Sequence, residues 1–227
     1  MMNSTIKRFT IYFLGLFIMT IGIGMSVKSN LGVSPVSTIP YTITLIYGIE
    51  MGRATILFHI MLVLLQILIL RKDFKIKNLL QVFVGVAFGY FTTFSNNLMS
   101  FLPDPSNYLF RIIFLFISII CVSLGILLYM SSDLVPLACE GIMQSVSYKT
   151  KIEFSKCKIG FDVTMVVISA VTCYISLNKL GSVREGTVIS AICVGMVLKI
   201  LTKCFKNNID EFLENDISIA NNLSENQ

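Results

Sequence analysis

Residues 30–52, Asn-Leu-Gly-Val-Ser-Pro-Val-Ser-Thr-Ile-Pro-Tyr-Thr-Ile-Thr-Leu-Ile-Tyr-Gly-Ile-Glu-Met-Gly, constrain this chain more than any other stretch. They carry Pro35, Pro40, Gly32, Gly48, Gly52 and a series of hydroxyls, yet lie between two long apolar runs. A lipid-facing span cannot satisfy the backbone groups that proline and glycine leave open. A broken or re-entrant element inside a membrane protein can, because neighbouring protein and cavity water supply the partners.

The surroundings bear out a bilayer setting. Of the 227 residues, 55% are apolar and 14% charged, where a soluble domain carries about a quarter charged. The charges cluster between apolar runs long enough to span the hydrocarbon core. The net charge of +5 comes from short loops, so it points to orientation and anionic headgroups rather than to nucleic acid. Spans are expected at 9–27, 54–70, 79–102, 108–130, 159–177 and 186–204. The first follows Lys7 and Arg8, but it is longer than a signal-peptide core, so the expectation is an uncleaved span. One integral membrane domain is expected over 1–205, followed by an acidic, Asn-rich tail over 206–227. The six cysteines form no CxxC; they read as small packing residues, with no disulfide framework and no zinc site.

A shift of 103 residues lays the second half on the first without a gap over 22–65, with ten identities in 44 positions. Gly22 meets Gly125, Ser29 meets Ser132, Ile49-Glu50 meets Ile152-Glu153 and Phe58 meets Phe161. The order of features also repeats: span, broken polar element, basic residue, span, span. The second broken element covers 134–149 with Pro136 and Gly141. As a helix its sixteen residues reach about 24 Å, short of the roughly 30 Å core.

Charge asymmetry predicts how these elements cross. If both broken elements re-enter, six spans place 13 basic residues on the N-terminal side and 5 on the other. If both cross, the split falls to 11 and 7. The positive-inside rule favours the first arrangement. The expected fold is therefore an all-α polytopic membrane protein with about six transmembrane helices, two re-entrant elements, an inverted internal repeat and cytoplasmic termini.

At Asn30-Leu31-Gly32-Val33-Ser34-Pro35, Ser132-Asp133-Leu134-Val135-Pro136 and Gly186-Thr187-Val188-Ile189 ahead of Gly195, the chain resembles the YczE/YyaS/YitT family of bacterial membrane proteins. The resemblance covers about residues 8–205. The YczE branch is the expected one, because no YitT-type soluble C-terminal domain is present. The resemblance implies a bacterial plasma-membrane location. It supplies no settled activity and no catalytic residues.

Candidate binding residues follow from the cost of placing ionisable groups in a membrane, about 2.5–3.5 kcal/mol each on insertion scales. His59 and Asp162 fall on equivalent repeat positions and could relay a proton or hold a coupling ion. Glu140 lies inside the second broken element beside Gly141 and could take a cation, a proton or a substrate amine. Asn30 and Asp133 precede the broken elements and read as N-caps. Ser34, Ser37 and Thr38 could donate to an anionic ligand if the half-helices point inward. Arg184-Glu185-Gly186-Thr187 reads as cap and charge anchor. No HExxH, GxSxG or Walker loop is present, so neither an enzyme nor a cofactor is expected. The expected function is secondary transport of a small solute or ion. The alternatives are a scaffold or accessory factor for a partner enzyme or export system, and more weakly an enzyme acting on a lipid. A homo-oligomer is compatible with either leading reading.

Overall fold

The computed structural model describes residues 4–224 and is built of α-helices. In chain order these are α1 (Ser4–Ser29), α2 (Pro35–Tyr47), α3 (Met51–Leu70), α4 (Leu80–Ser100), α5 (Tyr108–Ser131), α6 (Ala138–Thr150), α7 (Phe154–Leu177) and α8 (Glu185–Ser224). Two short 3₁₀ turns join α3 to α4. Six of the helices, all but α2 and α6, are long and apolar enough to cross a membrane. The protein is thus an all-α polytopic membrane protein. α2 and α6 have 13 residues each, about 20 Å of helix, too short to span.

Local chemistry explains where the short helices begin and end. Pro35 opens α2 at the first helical position, where its missing N–H costs nothing. Gly48 closes α2 in the left-handed conformation, with its N–H on Thr44 O at 3.0 Å. Lys151 closes α6 in the same way, bonding Ser147 O at 2.9 Å. Asn30 and Asp133 do not cap α2 and α6 as the sequence suggested. They sit at φ 55 and φ 52, just past the ends of α1 and α5. Asn and Asp tolerate that left-handed position better than most residues, so they end the preceding helices instead.

The helix directions follow from the contacts. α1 and α5 cross antiparallel: a methyl group on Gly15 would lie 2.9 Å from Gly125 O, and one on Gly22 would lie 2.9 Å from Ser118 O. α4 runs parallel to α1, since Thr20 bonds Ser95 at 2.9 Å and Gly24 abuts Met99. α3 runs antiparallel to α4, with Gly52 against Gly89 and His59 against Gly85. α1, α3, α4 and α5 therefore alternate in direction without counting α2. Partners across the ends agree. Lys149, at the end of α6, pairs with Asp73 in the loop after α3, and Lys7 lies 4.9 Å from the Phe212 ring. On the opposite face Lys28 pairs with Asp104 at 2.6 Å and Arg184 donates to Asn30 O at 2.9 Å. α2 and α6 each return to the face they left.

The buried segment that leads into α2 has its backbone satisfied by protein. Leu31 O accepts from Gly186 N–H at 2.8 Å, Gly32 O accepts from Ser26 Oγ at 3.1 Å, and Val33 N–H donates to Ser182 O at 3.4 Å. Gly186 is required here, since a methyl group on it would lie 2.6 Å from Leu31 O. Thr187 Oγ1 accepts from Arg184 N–H at 3.3 Å and caps α8. Past 205, where a separate acidic tail was expected, α8 continues as helix to Ser224; residues 225–227 lie outside the described residues.

Gly125→Val should cost about 1–3 kcal/mol, because its side chain meets Gly15 O and Met19 on the facing helix. Gly160→Ala meets open space and should be neutral or stabilising by up to about 1 kcal/mol. Thermal melting of the purified protein in detergent, followed by circular dichroism, checks both. Equal melting points for the two variants would contradict the seam.

Candidate functional site

The N-terminal ends of α2 and α6 face the interior from opposite faces of the bundle, and between them lies a cavity of about 230 Å³. Its walls are largely apolar, with Met19, Phe58, Phe88, Val122 and Leu137 among them. Ser34, Ser37, His59, Glu140 and Asp162 all line it, so five of the eight candidate residues meet in one place. Thr38 lies behind the wall; its hydroxyl donates to Pro35 O at 2.7 Å and reaches Met165 O at 3.3 Å. Asn30 and Asp133 are exposed and open onto separate vestibules on opposite faces.

The polar groups in the cavity are left with unfilled valences. His59 is 2% exposed, stacked at a tilt on Phe88, and its Nδ1 has no hydrogen-bond partner. Glu140 Oε2 is buried without a partner, although the residue itself is half-buried at the cavity edge. Glu140 sits in the first turn of α6, where the helix dipole favours negative charge. The Tyr129 hydroxyl stands beside the Glu140 carboxylate as its nearest hydrogen-bonding group, and Tyr12, Lys158 and Asp162 lie within its electrostatic reach. Asp162 Oδ2 accepts from Lys158 Nζ at 3.1 Å, while its Oδ1 is buried and unpartnered. Ser34 Oγ donates to Ser37 Oγ at 3.2 Å. His59 and Asp162 share the cavity but do not bond each other: the aspartate turns to Lys158 and the imidazole packs among aromatic rings.

Several neighbours escaped the sequence reading. Gln66 Nε2 donates to Gln81 Oε1 at 2.9 Å and to Ala138 O at 3.2 Å, joining α3, α4 and the start of α6. Gly141 lets this pair pack against α6, since a methyl group there would lie 2.6 Å from the Gln81 amide and 2.8 Å from Gln66 Oε1 and would displace both side chains. Tyr12 Oη donates to Val135 O at 2.7 Å, holding the segment before α6. Lys158, one turn from Asp162, was visible in the chain as an i, i+4 pair. The glutamine pair left no comparable trace. Among the described residues, no three His, Cys, Asp or Glu side chains converge as a metal site would need.

A vestibule of about 610 Å³ opens on the N-terminal face and shares Met130, Glu140 and Phe154 with the central cavity. A second vestibule, about 600 Å³ and lined by Lys28, Asn30, Asp104 and Arg111, opens on the other face and shares no residue with the cavity. The cavity therefore shares lining residues with the vestibule on the N-terminal face and none with the vestibule on the other.

A family profile matches residues 6–203 of the chain. The chain belongs to DUF6198, a family of unknown function. Among curated proteins, this DUF6198 chain is similar to the uncharacterized membrane protein YczE of Bacillus subtilis (strain 168). The two are 26% identical over 200 residues, covering 88% of this chain and 87% of the relative. No solved structure matches it. The matched residues 6–203 include every residue that lines the cavity.

Replacing a buried, unpartnered carboxylate by an amide relieves its desolvation. Glu140→Gln should therefore stabilise the fold by about 1 kcal/mol, a rise of about 2–4 °C in melting temperature. A binding site held at some cost to stability behaves in this way. A fall of similar size would mean that the carboxylate is satisfied and structural.

Proposed function

We propose that this protein is a secondary transporter of a small solute, working by alternating access across the bacterial plasma membrane. The observation that carries the reading is the central cavity: two half-helix N-termini enter it from opposite faces, and a carboxylate inside it, Glu140, keeps one buried oxygen without a hydrogen-bond partner. That is the arrangement by which discontinuous helices hold a substrate or coupling ion near the bilayer midplane. A carboxylate so placed takes a proton or a cation to offset its burial. Glu140 is the group assigned to that exchange, with His59, Asp162, Ser34 and Ser37 completing the site. Catalysis is not part of this reading, and no ATP-binding element is invoked; an ion gradient or the solute's own gradient supplies the energy.

An inverted internal repeat supports the mechanism. Landmarks recur at a spacing of 103 residues: left-handed Asn30 and Asp133, N-cap Ser34 and Leu137, left-handed Gly48 and Lys151, and N-cap Glu50 and Glu153. Packing recurs as well. α1 packs on α4 as α5 packs on α8, and α2 packs on α7 as α6 packs on α3. Gly22 against Ser118 and Val122 is answered by Gly125 against Gly15 and Met19. One pairing breaks the pattern: α3 and α4 are closely packed, whereas α7 and α8 are not. Two halves with the same parts in different packing can exchange roles, and that exchange would move access from one face to the other. The basic residues concentrate on the N-terminal face, which we assign to the cytoplasm; the state described then opens inward.

Single cysteines in a cysteine-free background test this. Glu50→Cys should react with an impermeant thiol reagent from outside intact cells, and Lys75→Cys only after permeabilisation. Ser37→Cys, in the cavity wall, should react from the cytoplasmic side in inverted vesicles. It should also react, more slowly, from outside in intact cells. A cavity cysteine that never reacts from outside, together with stable co-purification of a partner protein, would replace transport with the accessory-factor reading.

A further inference from the structure

We infer that the cavity takes an amphipathic amine, its ammonium head received by Glu140 and Asp162 and its alkyl tail left in the bilayer between α7 and α8. The inference rests on the binding-site reading above and extends it to a substrate class and an entry route.

The route comes from the packing of the last two long helices. Phe154, Lys158 and Asp162 form one face of α7, and Ser190, Val194 and Leu198 form one face of α8; both faces line the cavity. The two helices nevertheless form no close backbone interface with each other. Their counterparts α3 and α4 close tightly through Gly52, Gly85 and Gly89. Gly195 on α8, which lines the cavity, has no atom within 4 Å of where a side chain would begin. Outside the cavity-lining faces the two helices are largely exposed and apolar, with Val163 on α7 and Ile192 on α8 among the exposed side chains. A cavity wall with such a slit between two lipid-facing helices opens sideways into hydrocarbon.

The head group comes from charge and valence. The ionisable groups that line the cavity are Glu140, Asp162, Lys158 and His59. Lys158 is bonded to Asp162, which leaves one carboxylate in excess of the cations. Glu140 Oε2 and Asp162 Oδ1 are both buried acceptors without donors. A primary ammonium carries one positive charge and three N–H donors, which suits them. A phosphate or fatty acid would bring further acceptors and repulsion. Size fits the same class: a cavity of about 230 Å³ lies below the range of about 300–1,000 Å³ usual for drug-sized ligands. It admits a head and a few methylenes, and the rest of a chain must stay in the gap.

The test uses the full chain in phosphatidylcholine liposomes with a photoactivatable diazirine on the tail of dodecylamine. Labelling is expected on peptides spanning 154–163 and 190–198. Unlabelled dodecylamine should displace it; dodecanol, dodecanoate and propylamine at equal concentration should not. Glu140→Gln should weaken displaceable labelling at least about tenfold, and Glu140→Asp should recover part of it. Gly195→Phe, whose Cβ meets nothing within 4 Å, should reduce labelling while circular dichroism shows the helical fold retained. Competition by phosphatidylethanolamine would make a lipid headgroup the source; competition by the single-chain amine alone would make it a free amphiphile. Either result supports the inference. Labelling indifferent to the head group or to Glu140→Gln would overturn it, as the probe would then only report lipid contact. Displacement by propylamine with no effect of Gly195→Phe would overturn lateral entry while leaving transport of a water-borne amine in place. Occupancy is read without flux, so two-sided access at Ser37 can fail while labelling succeeds, and the reverse.

Discussion

Backbone-to-backbone contact between α1 and α5 is the constraint on which the rest of the structure depends. Gly15 faces Gly125, and Gly22 faces Ser118 and Val122, close enough that no side chain fits between. Within a membrane apolar burial does not drive helices together, so close approach at small residues takes over that role. The seam sets the two helices antiparallel. Once that is set, three crossings must separate the start of α1 from the end of α4. α2 cannot be one of them, and α6, with 13 residues, is too short to cross in the second half. The re-entrant geometry, the inward-facing helix ends and the cavity between them all follow.

The site combines groups that stabilise the protein with groups that do not. Gln66 and Gln81 tie α3 and α4 to the start of α6, and Tyr12 holds the segment before it. These bonds position Glu140 without satisfying it. His59 and Asp162 likewise keep a buried atom without a partner. Unfilled valences in the middle of an apolar core are expensive, and three of them meet at this cavity, in contrast to the well-bonded polar cluster of Thr42, Cys173 and Ser182.

The departure from even packing bears on the mechanism. α3 lies close on α4 through glycine, and the equivalent pair α7 and α8 stands apart. The cavity adjoins the vestibule on the N-terminal face through Met130, Glu140 and Phe154, and has no shared wall with the other vestibule. Packed interfaces tend to be bistable rather than continuously deformable. A bundle with one glycine seam closed and the related gap open therefore has the ingredients of two states.

The sequence alone determined the class of protein, the six long helices and the two short broken elements, because hydrophobic runs and Gly/Pro breaks act locally. The 103-residue spacing that sets Glu50 over Glu153 is a feature of the sequence itself. The meaning of Asn30 and Asp133 was not: a polar residue before a helix looks like a cap, and only the backbone dihedrals reveal that it ends the helix before. His59, Glu140 and Asp162 could be singled out as costly residues in a membrane, but their convergence could not, nor that Asp162 would turn to Lys158 rather than to His59. Gln66, Gln81 and Tyr12 left no pattern, since each acts on a segment at least fifteen residues away in the chain. Tertiary structure alone decided which face each element returns to, which seam is closed and where the cavity opens. Those properties depend on distances between helices, and helix periodicity carries no information about distance.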